Sequence, residues 1–121
     1  MRLLIEQEVQ KIGVVIPTLN EAATVPEIIR GVRPHAGEII VVDGHSPDNT
    51  AKIAQEMGCR VIFDHGKGKG EAIRTVIPHL DREITIFIDA DGSHDPDDIP
   101  ALVRPILDGQ ADHVSGSRLI G

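Results

Sequence analysis

Short apolar runs rich in β-branched residues recur along this chain, at residues 12–16, 38–42, 60–63 and 84–88 and more weakly at 111–115. Runs of this length that do not alternate with polar residues read as strands buried on both faces, which is how parallel sheets are built. Stretches of about 10 to 15 residues with helical spacing separate them, so the predicted order is β-α-β-α-β-α-β-α-β. The expected fold class is α/β: a Rossmann-like, mostly parallel sheet with helices on both faces. Helix starts are marked by Thr24 with Glu27 three residues on, a capping-box spacing, and by Asp95 followed by Pro96 and Asp98. Gly109 is a predicted C-terminal stop.

A chain of 121 residues fits one domain, large enough to bury roughly two thirds of its unfolded surface. Its 40% hydrophobic and 26% charged residues exclude the signature of disorder. A net charge of −7, with 12 Lys and Arg scattered along the chain, argues against nucleic acid as a partner. Two Phe and no Tyr or Trp also remove the stacking platforms of single-strand binders, so recognition has to be polar. Cys59 is the only cysteine, which excludes an intrachain disulfide and suits a reducing cytosol. The apolar patch Leu3, Leu4, Ile5 is too brief for a signal-peptide core, and no run reaches the roughly 18 apolar residues of a membrane span. The chain is expected to be cytoplasmic, meeting a membrane only through a lipid substrate, a partner or a further segment.

Ligands of open parallel sheets sit beyond the carboxyl ends of the strands, so the loops at 17–21, 43–50, 64–70 and 89–95 carry the functional expectation. Asp89 and Asp91 stand where the fourth strand emerges, with Asp95, Asp97 and Asp98 close behind. Carboxylates about 4 Å apart repel by about 4 kcal/mol at an effective dielectric of about 20, so the edge needs a cation or must spread into water. A hard divalent cation takes one or two carboxylates and fills its other positions with water and phosphate oxygens. Asp89 and Asp91 are therefore the candidate metal ligands, whereas Asp95, Asp97 and Asp98 read as a helix start. Gly66-Lys67-Gly68-Lys69-Gly70 is either a phosphate-approaching loop or a solvated turn, and it lacks the Walker spacing. Arg118 stands within reach of a phosphate or on the surface. His45, His65 and His94 fall in the same loops without zinc spacing.

Together these motifs resemble family 2 glycosyltransferases, most closely the dolichol-phosphate mannose synthase and polyprenyl-phosphate sugar transferase branch. The resemblance runs from about Lys11 to the end. It is carried by Val14-Val15-Ile16-Pro17-Thr18-Leu19-Asn20-Glu21, by residues 39–50, by the glycine-rich stretch 66–72, by residues 87–96 as an Asp-x-Asp region, and by Gly116-Ser117-Arg118. It implies a GT-A fold in which Pro17, Thr18, Asn20, Glu21 and Asp43 line a nucleotide pocket. Asp89 and Asp91, flanking Ala90, would hold a diphosphate through Mg²⁺ or Mn²⁺, with Lys67, Gly68 and Arg118 near the donor. The implied reaction passes a hexose, with inversion, from a nucleotide-diphosphate sugar such as GDP-mannose to an acceptor, a polyprenyl or dolichyl phosphate. The chain departs from the family pattern at Gly44, where a second Asp is usual, at Asn49, and at Ser93. Because the family continues past residue 121 with its acceptor region, the chain is expected to be the N-terminal donor-binding part, for which self-association into a homo-oligomer is an open partner.

Two other readings stay open at this stage. A non-catalytic nucleotide-sugar-binding module would have the same pocket without an acceptor half. A haloacid-dehalogenase-like phosphatase shares the look of Ile88-Asp89-Ala90-Asp91-Gly92-Ser93, with Asp89 as nucleophile, but its motif normally follows the first strand rather than the fourth.

Overall fold

The computed structural model describes residues 4–64, 71–91, 95–108 and 118–120. Its elements run α1 (Glu6–Val9), β1 (Ile12–Thr18), α2 (Val25–Val32), β2 (Glu38–Asp43), α3 (Thr50–Glu56), β3 (Arg60–Phe63), α4 (Glu71–Val76), β4 (Ile84–Phe87), α5 (Ile99–Leu107) and β5 (Arg118–Ile120). The strands lie in the order β3-β2-β1-β4-β5. The first four are parallel, with Val15 opposite both Ile40 and Phe87. β5 joins antiparallel to β4, Arg118 opposite Phe87.

The period of two along each strand sorts the core into two layers. Ile12, Val14 and Ile16, with Ile39, Val41, Ile84, Ile86 and Ile88, point to one face. There they meet Val25, Ile28, Ile29 and Val32 of α2, Ala54 of α3, and Ile99 and Val103 of α5. Val15, Ile40, Val42 and Phe87 point to the other face, against Val76, Ala72 and Ile73 of α4. Helices on both faces explain why the strands read as unbroken apolar runs. The expected α/β class, a mostly parallel sheet covered on both sides, is the one observed.

One expectation changes, and two fall on residues that are not described. Residues 111–115, read as a parallel strand, lie outside the described residues, as does Gly109. The described edge strand next to β4 is β5, an Arg-Leu-Ile triplet too short to register in a hydropathy pattern. Thr24 precedes α2 but its side chain makes no cap bond, so the capping box does not form. The Asp95 start does form: its carboxylate accepts from the Asp97 N–H at 2.9 Å and opens the turn Pro96–Asp98 that feeds α5. Gly31 on α2 lets that turn approach, since a Cβ there would lie 2.9 Å from Pro96 Cγ.

Candidate functional site

The connections from β1 to β2 and from β2 to β3 both run through helices on the first face, whereas β4 lies on the opposite side of β1. The strand order therefore reverses between β1 and β4, and the loops after these two strands diverge to leave a crevice at the carboxyl edge. Pro17 marks where it opens. The Ile88 N–H donates to Val15 O at 3.0 Å, so odd-numbered residues of β1 aim their backbone groups at β4. Pro17, two residues on, faces a side where β4 has already ended, and its missing N–H breaks no ladder bond.

Asp89, Ala90 and Asp91 stand on one wall of this crevice. Ala90 is only 2% exposed, whereas Asp89 and Asp91 on either side of it are exposed. The inward Ala90 is fixed across the gap: Thr24 Oγ1 donates to Ala90 O at 2.5 Å. Glu21 O and Glu21 Oε2 also lie within reach of that hydroxyl, at 3.4 and 3.3 Å, but its single proton goes with the short bond. The hydroxyl expected to cap a helix braces the two walls instead.

The opposite wall is built from the loop after β1, and the loop after β2 holds it in place. Asn20, Glu21 and Ala22 present consecutive backbone N–H groups, and each is accepted by a side chain of the second loop. Asn20 N–H donates to Ser46 Oγ at 2.8 Å, Glu21 N–H to Thr50 Oγ1 at 3.0 Å, and Ala22 N–H to Asp48 Oδ2 at 3.2 Å. Asn20 takes a left-handed conformation, φ 57°, which asparagine tolerates better than most residues. Asp48 also accepts from the Thr50 N–H at 3.0 Å and from the Thr50 hydroxyl. The Thr50 hydroxyl bond, with the Thr50 and Ala22 backbone bonds, holds its carboxyl below the usual aspartate range against the opposing effect of burial.

Beneath this clamp Asp43, at the end of β2, is wholly buried. Its Oδ1 accepts from Thr18 Oγ1 at 2.8 Å and from Ser46 Oγ at 2.6 Å, and its Oδ2 accepts from the Ser46 N–H at 2.8 Å. A buried carboxylate is tolerable here because donors surround it. Thr18 and Asp43 thus form the floor on which both loops rest, and Leu19 stands exposed above them at 57%. Gly44 lies beside Leu19, where a Cβ would make ordinary contacts of 3.4 Å or more, so the missing side chain leaves room rather than relieving strain. His45 stacks on Phe63, ring centroids 5.6 Å apart, and its Nε2 lies 2.6 Å from Asp64 O. That makes it a link between the ends of β2 and β3.

Of the residues singled out from sequence, Pro17, Thr18, Asn20, Glu21, Asp43, Asp89, Ala90 and Asp91 all come to this one edge. Lys67, Gly68, His65 and His94 lie outside the described residues, and Arg118 is placed by its backbone alone, on β5. Sequence reasoning missed the separate parts played by Thr24, Ser46, Asp48 and Thr50. A signal was present: Ser, Asp and Thr just past a strand end are the residues that bond neighbouring backbone N–H groups. Among the described residues no group of three or more His, Cys, Asp and Glu could hold a metal ion by itself. Two exposed carboxylates on either side of a pinned alanine suit a hard cation that keeps water and phosphate oxygens as its other ligands.

A family model described as Glycosyl transferase family 2 matches residues 13–121. The chain belongs to that family. Among its family 2 relatives, Glycosyltransferase AglJ of Haloferax volcanii is 33% identical over 107 residues, covering 87% of this chain and 35% of that protein. The UDP-N-acetylglucosamine–dolichyl-phosphate N-acetylglucosaminyltransferase of Methanococcus voltae is 32% identical over 130 residues, covering 89% of this chain and 52% of its own length. Among solved structures, glucosyl-3-phosphoglycerate synthase from Mycobacterium tuberculosis, in complex with Mn²⁺, UDP-glucose and phosphoglyceric acid, superposes with a TM-score of 0.74 at 34% identity. That match covers 84% of this chain and 40% of the synthase chain. The chain spans between about a third and a half of the length of these three relatives. Family 2 membership over nearly the whole sequence removes the phosphatase reading of the Asp89 loop.

Proposed function

We propose that this chain is the donor-binding part of a glycosyltransferase, and that the crevice between β1 and β4 takes the diphosphate of a nucleotide sugar. The observation that supports this reading is the Thr24 to Ala90 bond across the point where strand order reverses, which ties the backbone between Asp89 and Asp91 to the residue that leads into α2, next to the clamped Asn20–Glu21 loop. In the proposed site Asp89 and Asp91 hold Mg²⁺ or Mn²⁺, and Pro17, Thr18, Asn20, Glu21 and Asp43 shape the nucleotide pocket. Lys67, Gly68, Ala90 and Arg118 are the further residues proposed to bind the donor. The Mn²⁺ and UDP-glucose bound to the mycobacterial synthase support a divalent metal and a nucleotide-sugar donor.

The metal, when bound, supplies a Lewis acid that stabilises charge developing on the nucleoside diphosphate as the sugar leaves. The chain's own contribution is preorganisation. Asp89 and Asp91 are presented by a backbone whose intervening carbonyl is fixed by Thr24, and Asn20 and Glu21 belong to a loop whose Asn20, Glu21 and Ala22 N–H groups are occupied. Groups fixed in advance in this way need less binding free energy to arrange when the donor arrives.

The acceptor is proposed to be a polyprenyl phosphate. The methanococcal relative is named for a dolichyl-phosphate acceptor, whereas the mycobacterial structure holds phosphoglyceric acid, so both acceptor classes belong in the test. Sugar transfer would be followed with GDP-mannose or UDP-sugars and Mn²⁺, offering a polyprenyl phosphate in one arm and 3-phosphoglycerate in the other. Transfer to the lipid supports the proposal and transfer to phosphoglycerate alone replaces its acceptor. Metal-dependent nucleotide binding without turnover leaves a nucleotide-sugar-binding module, which the chain's share of its relatives' length makes the second reading. No metal-dependent nucleotide binding at all contradicts the site.

A further inference from the structure

The opposite, amino edge of the sheet carries a cleft of about 250 Å³ lined by Arg33, Arg60 and Arg82 together with Glu38, Gly37 and Gly58. Three guanidinium groups at one cleft stand out on a chain whose net charge is −7. Each is held by uncharged partners: Arg33 donates to Met57 O, Arg60 Nη2 lies 2.9 Å from His79 Nδ1, and Arg82 Nη1 donates to Gln10 O at 2.8 Å. Among the described residues the nearest carboxylate to any of them is Asp81, 4.0 Å from Arg82 Nε.

The backbone makes way for this arrangement. Arg82 lies across two glycines: a Cβ on Gly13 would sit 3.2 Å from Arg82 Cγ, and one on Gly37 would sit 3.0 Å from Arg82 Nη1. Gly58, with φ +85°, has open space where its side chain would stand. The cleft thus brings three guanidinium groups together beside glycine backbone, against two nearby carboxylates, Glu38 in the lining and Asp81 paired with Arg82. Guanidinium forks match the oxygens of a phosphate group.

We propose that this cleft is a second anion site, separate from the carboxyl edge and independent of metal, which takes a phosphate monoester dianion. Glu38 is the one acidic residue in its lining and opposes the ligand's charge.

Inorganic phosphate is the probe, titrated calorimetrically at low salt with EDTA present so that no metal-dependent binding at the other edge contributes. The parent is expected to bind, Arg60→Gln to bind at least tenfold more weakly, and Arg82→Lys several-fold more weakly. Glu38→Gln is expected to bind more tightly, a gain that loss of structure cannot produce. Thermal melting in phosphate-free buffer checks that each variant is folded. Metal-dependent nucleotide binding by Arg60→Gln should match the parent. Absence of phosphate binding by the parent, undiminished binding by folded Arg60→Gln, or weaker binding by Glu38→Gln overturns the assignment.

Discussion

Thr24 and Ala90, 66 residues apart in sequence, are joined by a 2.5 Å hydrogen bond that spans the mouth of the sheet's crevice. It fixes the peptide between the two candidate metal ligands, so Thr24 is a positioning residue for a site it does not itself enter. Thr24→Val keeps the shape and removes the donor. The loss of one net hydrogen bond predicts destabilisation of about 1 kcal/mol. Manganese-dependent affinity for UDP or GDP should fall several-fold, while any affinity measured in EDTA stays put. An unchanged manganese response would show that the brace serves stability alone.

The Asp43 carboxylate is the most heavily bonded group of the edge. Asp43→Ala strands the Thr18 hydroxyl and loosens Ser46, and a buried donor left without its partner costs about 1–3 kcal/mol. Urea denaturation should show a lower midpoint with an unchanged slope, since the surface exposed on unfolding is the same. A midpoint equal to the parent's would mean that the floor of the two loops is held by something else.

Asp48 makes the clamp sensitive to acid. Its carboxyl is lowered in the fold by the Thr50 hydroxyl, so the unfolded chain takes up the proton first as pH falls. The stability it contributes is complete above the ordinary value of 3.8 and is lost as pH drops through the lower folded value. Comparing urea midpoints of the parent and Asp48→Asn at about pH 6 and about pH 2.5 should show a gap at the higher pH that closes at the lower. A gap that persists in acid would assign the effect to packing.

Gly31 tests the approach of α2 to the turn that follows the Asp89 loop. Alanine is the better helix former by about 1 kcal/mol, yet its methyl group would meet the Pro96 ring at 2.9 Å. Overpacking of this kind costs about 1–3 kcal/mol, so Gly31→Ala should lower the melting temperature rather than raise it. A raised melting temperature would show that Pro96 moves aside freely.

The architecture was largely legible in the sequence because the strands are buried on both faces. Residues 12–16, 38–42, 60–63 and 84–88 needed only their unbroken apolar character to be read, and β1 to β4 extend within two residues of them. The antiparallel edge strand was not legible, since three residues pairing on one side leave no pattern. The site divides in the same way. Asp89 and Asp91 stood out because paired carboxylates where a buried strand emerges need a cation or must spread into water. Thr24 did not, because Thr24 and Glu27 have a capping-box spacing that local reasoning takes at face value. Only the fold reveals that this hydroxyl donates across the crevice to Ala90 O and makes no cap bond. Ser46, Asp48 and Thr50 likewise bond to backbone more than 25 residues away in sequence, contacts that no local pattern encodes.

The central claim is that Asp89 and Asp91 together bind a nucleoside diphosphate through a divalent ion. Its most direct test is calorimetric titration of UDP and GDP, with Mn²⁺ and with EDTA, into the parent and into Asp91→Ala. Mn²⁺ is expected to strengthen nucleotide binding by the parent. Asp91→Ala, folded as judged by an unchanged melting temperature, is expected to lose that enhancement and to bind alike with and without the metal. An Asp91→Ala variant that keeps the full manganese-dependent affinity contradicts the claim.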